Sequence, residues 1–358
     1  MRFTAVCLIF IFSSSLAYAD SWYDKFDFKS DARLRHEGIN KENSSYKDRM
    51  RIRARASFKV GVQENVDFIF QLATGGKNPV STNQTLDGSF STKDIGIDLA
   101  YIDWKINNNV NVNAGKMKNP MFRVGGAPLI WDGDLNPEGI AAKFKSDKIF
   151  GTAAVFSVAE GESNDYSLLY TFQTGLKFDI SDNGSLTTGL SYFGYNKTIG
   201  LSPFYNGDPK GNSFSDEEEE VFAYKYGYKN IEFFSQYDTK LKGLPLRFHI
   251  QYTKNNEVED QDTAYSYGVT LGSVKKKGDK QYAWLYQDIQ ADSVIATFND
   301  SDFGGGGTDS KGHIFKAKYG FSEKIALGGT FFFNKIDRFQ GAERDYQRFQ
   351  IDLEFKIN

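Results

Sequence analysis

Lys47–Val60 reads KDRMRIRARASFKV. Arg49, Arg51, Arg53 and Arg55 take every second position, alternating with Met50, Ile52, Ala54 and Ala56, and the apolar series runs on through Phe58 and Val60. A β-strand sends successive side chains to opposite faces, so this segment has one basic face and one apolar face. A helix would scatter the arginines around its circumference. In a soluble sheet the apolar face packs on a core and the basic face meets water. In a membrane barrel the apolar face meets lipid and the basic face lines a lumen.

The rest of the chain favours the barrel. Phe26–Glu37 puts Asp27, Lys29, Asp31, Arg33 and Arg35 on one face. Alternating segments then recur to the end, and the predicted strands are 26–37, 47–60, 66–74, 95–106, 110–118, 139–145, 149–158, 166–180, 185–197, 221–238, 244–253, 264–274, 281–290, 313–321, 325–336 and 345–357. The segment 221–238 is read as one strand with a bulge at Lys229-Asn230, and 281–290 as a strand whose continuation to Phe298 is left open. Asn183-Gly184 is a hairpin signal. The last segment sets Phe349, Ile351, Leu353, Phe355 and Ile357 against Arg348, Gln350, Asp352, Glu354 and Lys356.

Short turns follow the even segments and long loops the odd ones, near 38–46, 75–94, 119–138, 199–220, 299–312 and 337–344. That asymmetry separates a periplasmic rim from an external one, and an even strand count leaves both termini on one side. Pro79, Pro120, Pro128, Pro137, Pro203 and Pro209 lie in predicted loops and Pro245 at a strand start, so no proline interrupts a ladder. A β-sandwich also alternates, but it is shorter or divided by linkers, and no linker divides this chain. The expected fold is therefore all-β: a closed antiparallel transmembrane barrel of about 16 strands, wide enough for an aqueous channel.

Composition agrees. Mean hydropathy is −0.48 while aromatic residues make up 16%, as suits a barrel with a polar lumen. No apolar run after residue 19 is long enough for a transmembrane helix. Arg2, the short apolar run Val6–Phe12 and Ala17-Tyr18-Ala19 read as a signal peptide over 1–19, leaving one domain over 20–358. Cleavage takes Lys+Arg from 43 to 42 against 46 Asp+Glu, and the net charge from −3 to −4, a balance that argues against nucleic-acid binding. Cys7 leaves with the signal, so the mature chain has no disulfide, thiolate metal site or cysteine nucleophile.

Two stretches are candidates for function. With the apolar face outward, Arg49, Arg51, Arg53 and Arg55 form a ladder in the lumen, with Arg33 and Arg35 beside them. A cluster of like charges needs water, anions or opposing acids. It either forms a positive wall that handles anions or is neutralised by Asp27, Asp31, Glu37 and loop acids. The second stretch is Asn119–Glu138, NPMFRVGGAPLIWDGDLNPE. Its length, prolines and apolar content suit either a loop that folds inward and narrows the barrel, with Arg123 on it, or an external loop packed on its neighbours. In the first case Asp132, Asp134 and Glu138 are the acids expected to face the ladder across a constriction.

The chain resembles Gram-negative outer-membrane porins of the group called "putative porins" and is more distantly similar to phosphate-selective and general diffusion porins. The matching residues are the Arg49–Arg55 ladder, Ala73-Thr74-Gly75, Tyr101 with Asp103-Trp104, Gly115-Lys116, Trp131 through Gly139, Asp300-Ser301-Asp302-Phe303 and Lys311-Gly312-His313. The resemblance implies a water-filled channel in the outer membrane for small hydrophilic solutes and ions, without a cofactor. It also implies outer-membrane lipid and lipopolysaccharide around the barrel, the barrel-assembly machinery as a partner, and a homotrimer. The chain departs from the common barrel ending in Phe or Trp: it ends Phe355-Lys356-Ile357-Asn358. The alternative is a non-conducting adhesion barrel that acts through its loops.

Other signals are weaker. Asp216 and Glu217–Glu220 form an acidic run that reads as a solvated loop. Gly304–Gly307 lacks a strand–helix context for phosphate and reads as flexible loop. His36, His249 and His313 share no metal-ligand spacing. No G-x-S-x-G motif appears, and an enzyme is not expected, although a Ser/His/Asp set on a barrel stays open.

Overall fold

The computed structural model describes residues 26–127, 129–160, 166–215 and 222–357. The expected signal peptide over 1–19, Pro128, the acidic run 216–220 and Asn358 lie outside them. Sixteen long strands follow in chain order: β1 (Phe26–Lys41), β2 (Lys47–Gln63), β3 (Val66–Thr74), β4 (Ile95–Lys105), β5 (Val110–Lys116), β6 (Glu138–Lys145), β7 (Ile149–Ala159), β8 (Ser167–Ser181), β9 (Gly184–Tyr195), β10 (Lys229–Leu241), β11 (Leu244–Asn255), β12 (Thr263–Gly272), β13 (Lys280–Ile289), β14 (Ser310–Gly320), β15 (Ile325–Ile336) and β16 (Arg344–Ile357).

Each strand pairs antiparallel with its chain neighbours, and β1 pairs with β16 from Ser30↔Ile357 to Lys41↔Tyr346. This pairing closes the sheet and leaves no free edge. Turns after the even strands are short, as at Glu64-Asn65 between β2 and β3. Loops after the odd strands include 75–94, 117–137, 196–228 and 290–309. Pro245 pairs with Lys240 near the start of β11.

Alternation decides which way each side chain points. Phe172, Ile250, Phe315 and Phe331 all stand outward and exposed, while their sequence neighbours face the lumen. In water such a girdle would cost free energy, so it marks a surface for hydrocarbon. Inside, an apolar cluster fills one side of the barrel. It joins Phe156, Leu169, Phe193, Leu285 and Ile314 from the wall to Leu129, Trp131, Ile295 and Phe303 from loops.

One predicted strand needs correction, and the continuation left open for another is settled. β10 starts at Lys229, not at residue 221, so there is no bulge at Lys229-Asn230. Ala223-Tyr224 instead pairs with Phe214-Ser215 in a separate ribbon within the loop. β13 stops at Ile289, and the apolar run Val294–Phe298 leaves the wall as loop. The parity slip seen in the first case marked the strand boundary itself.

The loop 117–137 re-enters the wall through Gly139, with φ +155°. A Cβ there would lie 2.1 Å from the Val155 carbonyl oxygen. Only a residue without a side chain lets β6 follow the loop this closely.

Candidate functional site

The basic ladder faces the lumen in register. Arg33 pairs with Arg53, Arg35 with Arg51, Glu37 with Arg49 and Asp31 with Arg55 across β1 and β2. Like charges directly opposite one another repel, so each needs an acid. Asp31 accepts from Arg53 (3.1 Å) and Arg55 (2.9 Å). Glu37 is fully buried and accepts from Arg49, from Arg51 at 3.5 Å and from Arg348 at 2.5 Å. Asp352 takes a two-pronged bond from Arg35, at 2.7 and 2.8 Å, and lies 3.8 Å from Arg33. Charges removed from water are tolerable when matched in this way.

Arg348 and Asp352 belong to β16, which the sequence reading had placed on a polar face without a role. Their meeting with β1 follows from barrel closure. Asp27 lies outside the network and pairs with Lys29 at 3.2 Å.

The predicted inward loop does cross the lumen. Phe122 offers its N–H and carbonyl to the Gln173 amide on β8, at 2.7 and 3.1 Å. The Gly125 N–H donates to Gln236 on β10 at 2.7 Å. At Gly125 a Cβ would fall 2.4 Å from the His249 ring, so the backbone lies directly on the wall. From there the loop reaches β2, where Asp134 stands 3.7 Å from Arg53 and 3.9 Å from Arg55. β10 and β2 are eight strands apart in a barrel of sixteen, which makes them opposite walls.

A second loop, 290–309, folds inward as well, which the sequence reading did not foresee. Asn299 donates to the Leu129 carbonyl at 2.7 Å, and the Asp132 N–H donates to the Phe298 carbonyl at 2.8 Å. Ser301 N–H donates to the Asp132 carboxylate at 2.8 Å. The signal that could have found this loop is Val294–Phe298, apolar residues without strand alternation, which need a core to cover them. Its tip is pinned to the ladder: Asp302 lies 3.1 Å from Arg35 and 2.7 Å from Arg348. Gly304–Gly307 is packed rather than free, with Gly304 against Ser310 and Ile336 and Gly307 against Lys210.

Two of the proposed opposing acids sit elsewhere. Glu138 begins β6 and pairs with Lys116 at 2.8 Å, away from the arginines. Asp132 is buried at the junction of the two loops, where its carboxylate takes the N–H groups of Asp134 and Ser301. Burial, then Asp300 and Asp134 nearby, push the Asp132 carboxyl well above its ordinary range. Burial alone would also raise Asp302, but Arg348 and Arg35 hold it below the usual carboxylate range. Arg123, half-buried, is lowered by desolvation, and among the described residues the distal part of its side chain reaches only the Gly126 carbonyl at 3.5 Å.

Among the described residues no cluster of His, Cys, Asp or Glu could hold a metal ion. His36 pairs with Asp48 at 3.0 Å, His249 lies behind Gly125, and His313 packs outward between Trp284 and Tyr286.

Comparison with known proteins places this geometry. A family described as "Putative porin" matches residues 36–225 and 219–357. Among solved structures, Pseudomonas putida OprB at high pH aligns with TM-score 0.61 and 11% identity over 93% of this chain and 95% of that one. Salmonella typhi OmpF in complex with daunomycin aligns with TM-score 0.54 and 11% identity over 93% and 97%. An OmpT loop-deletion mutant, an outer-membrane protein of Vibrio cholerae, aligns with TM-score 0.52 and 12% identity over 93% and 100%. These likenesses are of fold. No curated protein matches the chain.

Proposed function

We propose that this chain, which belongs to the family described as "Putative porin", is a passive diffusion channel whose selectivity is set where the arginine wall faces the two inserted loops. The chain is an outer-membrane porin, and its family and fold are those of a channel rather than an enzyme. The finer reading concerns what the passage prefers.

One observation carries that reading. Among the described residues, Arg33, Arg35, Arg49, Arg51, Arg53, Arg55 and Arg348 share only Asp31, Glu37, Asp134, Asp302 and Asp352 within ion-pair distance. Seven cations on five carboxylates leave a surplus of two positive charges. In a narrow, partly desolvated passage that surplus favours anions mildly. The solutes are small and hydrophilic, and the mechanism needs no cofactor and no covalent step. The mature chain of this reading begins near Asp20 and forms one domain over 20–358. Its partners are outer-membrane lipid and lipopolysaccharide, the barrel-assembly machinery and further copies in a homotrimer.

The test is single-channel conductance of refolded protein in a planar bilayer under a salt gradient. Stable ohmic steps with a reversal potential on the anion side are expected. A folded barrel that never conducts would move the function to the external loops, as in an adhesion barrel.

A further inference from the structure

Between the loop tips and the wall β14–β16 lies a cavity of about 420 Å³, within the size range of small-molecule sites. Eight charged side chains line it, and most are already engaged. Arg35 holds Asp352 and Asp302, and Lys318 holds Glu354. The three that remain are Arg123 from the first inserted loop, Asp300 from the second and Lys316 from β14. None makes an ion pair within 4 Å among the described residues. Arg123 has, besides, a buried Nε with no hydrogen-bond partner.

The wall leaves room beside them. Gly328 faces the lumen in register between Lys318 and Asp352, and a Cβ there would have its nearest neighbour at 3.8 Å. The nearest side-chain atoms to it are the Asp352 Cβ at 3.8 Å and the Glu354 Oε1 at 3.9 Å. The cavity is thus lined by two cations and one carboxylate without ion-pair partners among the described residues, Asp300 accepting only the Asp302 N–H at 2.9 Å, a set complementary to a solute with two carboxylates and one ammonium group.

Resting on the channel reading above, we propose that Arg123, Asp300 and Lys316 form a weak binding station for acidic α-amino acids in transit. Arg123 and Lys316 each take a carboxylate, and Asp300 takes the ammonium group. Since Arg123 and Asp300 come from different loops and Lys316 from the wall, the station exists only with both loops folded in. Weak binding suits conduction, because a solute held tightly would not leave.

The experiment uses the full mature chain in planar bilayers carrying potassium chloride current. Three probes are added in turn: glutamate, glutarate (the same dicarboxylate without its amine) and the neutral polyol ribitol. The bath is only mildly alkaline: burial raises the Asp300 carboxyl, which must ionise, while the glutamate ammonium and Lys316 must stay protonated. Glutamate should interrupt the current at the lowest concentration, glutarate next and ribitol last. Each step should differ by about two- to fivefold, as partly exposed ion pairs give. Asp300→Asn should make glutamate and glutarate equal. Arg123→Gln and Lys316→Gln should each weaken both acids and leave ribitol as it was. Current that all three probes block equally would overturn the station while leaving the channel reading intact. A protein that carries no potassium chloride current would defeat the channel reading itself.

Discussion

The Asp302 carboxylate, on the second inserted loop, lies 2.7 Å from the Arg348 guanidinium on the strand that closes the barrel. Arg35 reaches the same carboxylate at 3.1 Å. One side chain thus ties a loop tip to the first and last strands at once. It also cancels positive charge on the arginine wall, which under the proposed function would otherwise face permeant ions.

Asp302→Asn should therefore act in two ways. It should cost roughly 1–3 kcal/mol of stability, less than a fully broken buried pair because Asp352 and Glu37 still hold the two arginines. It should also raise conductance and move the reversal potential further toward anions. Thermal unfolding in detergent and bilayer recording check the two effects separately. An unaltered reversal potential would show that Arg35 and Arg348 lie off the ion path.

Arg53→Glu places a carboxylate beside Asp31 and Asp134, its present partners at 3.1 and 3.7 Å. The passage should become cation-preferring, with the permeability ratio changing about two- to tenfold at low salt and less at molar salt, where screening shortens to ~3 Å. Reversal potentials at two ionic strengths measure this. An identical ratio in the variant would remove the ladder from the passage.

Trp131 is buried between the loop and the wall, edge-on to Phe193 at 5.3 Å and to Phe156 at 6.1 Å. Trp131→Ala should cost about 3–5 kcal/mol in loop packing, the usual loss for a buried aromatic. The strand ladders do not depend on it. The expected phenotype is an intact barrel with larger, noisier conductance and with loop 117–137 open to protease. Cleavage no faster than in the wild type would mean that the hydrogen bonds from Gln173 and Gln236 suffice to hold the loop.

Stability should depend on pH with opposite signs at the two loop acids. Asp132 has a folded pKa above its unfolded one. The folded state binds more protons, so this group destabilises progressively as pH rises from the ordinary carboxylate range through its raised value. Asp302 has a depressed pKa. Its contribution is present above the ordinary carboxylate range and is lost as pH falls through the lowered value. Thermal midpoints should peak in weak acid. Asp132→Asn should flatten the decline on the alkaline side, whereas an unchanged slope would place the cause in another group.

The arginine ladder was legible because period-two alternation is local: Arg51 faces the lumen once Ile52 faces out. The length, prolines and apolar content of 119–138 made an inward course a candidate, but they fit an external packed loop as well, and only the hydrogen bonds to Gln173 and Gln236 separate the two. Glu138 was misjudged because it lies one residue beyond the loop, on β6, where pairing with β5 sets it against Lys116. Asp132 was misjudged because nothing in the first loop announces the second loop that buries it.

The sequence by itself determined most of the strands, their outward faces, the alternation of short and long connections and the presence of a basic wall. All are set by residues within one strand or one turn of each other. Only the tertiary structure decided which acids meet that wall and which loops share the lumen. Arg35 meets Asp352 across 317 positions of chain because β1 closes on β16. Loop 290–309 lies inside because its apolar run finds a core only against Trp131 and its neighbours. Such contacts follow from the register and closure of the whole barrel, which no single segment encodes.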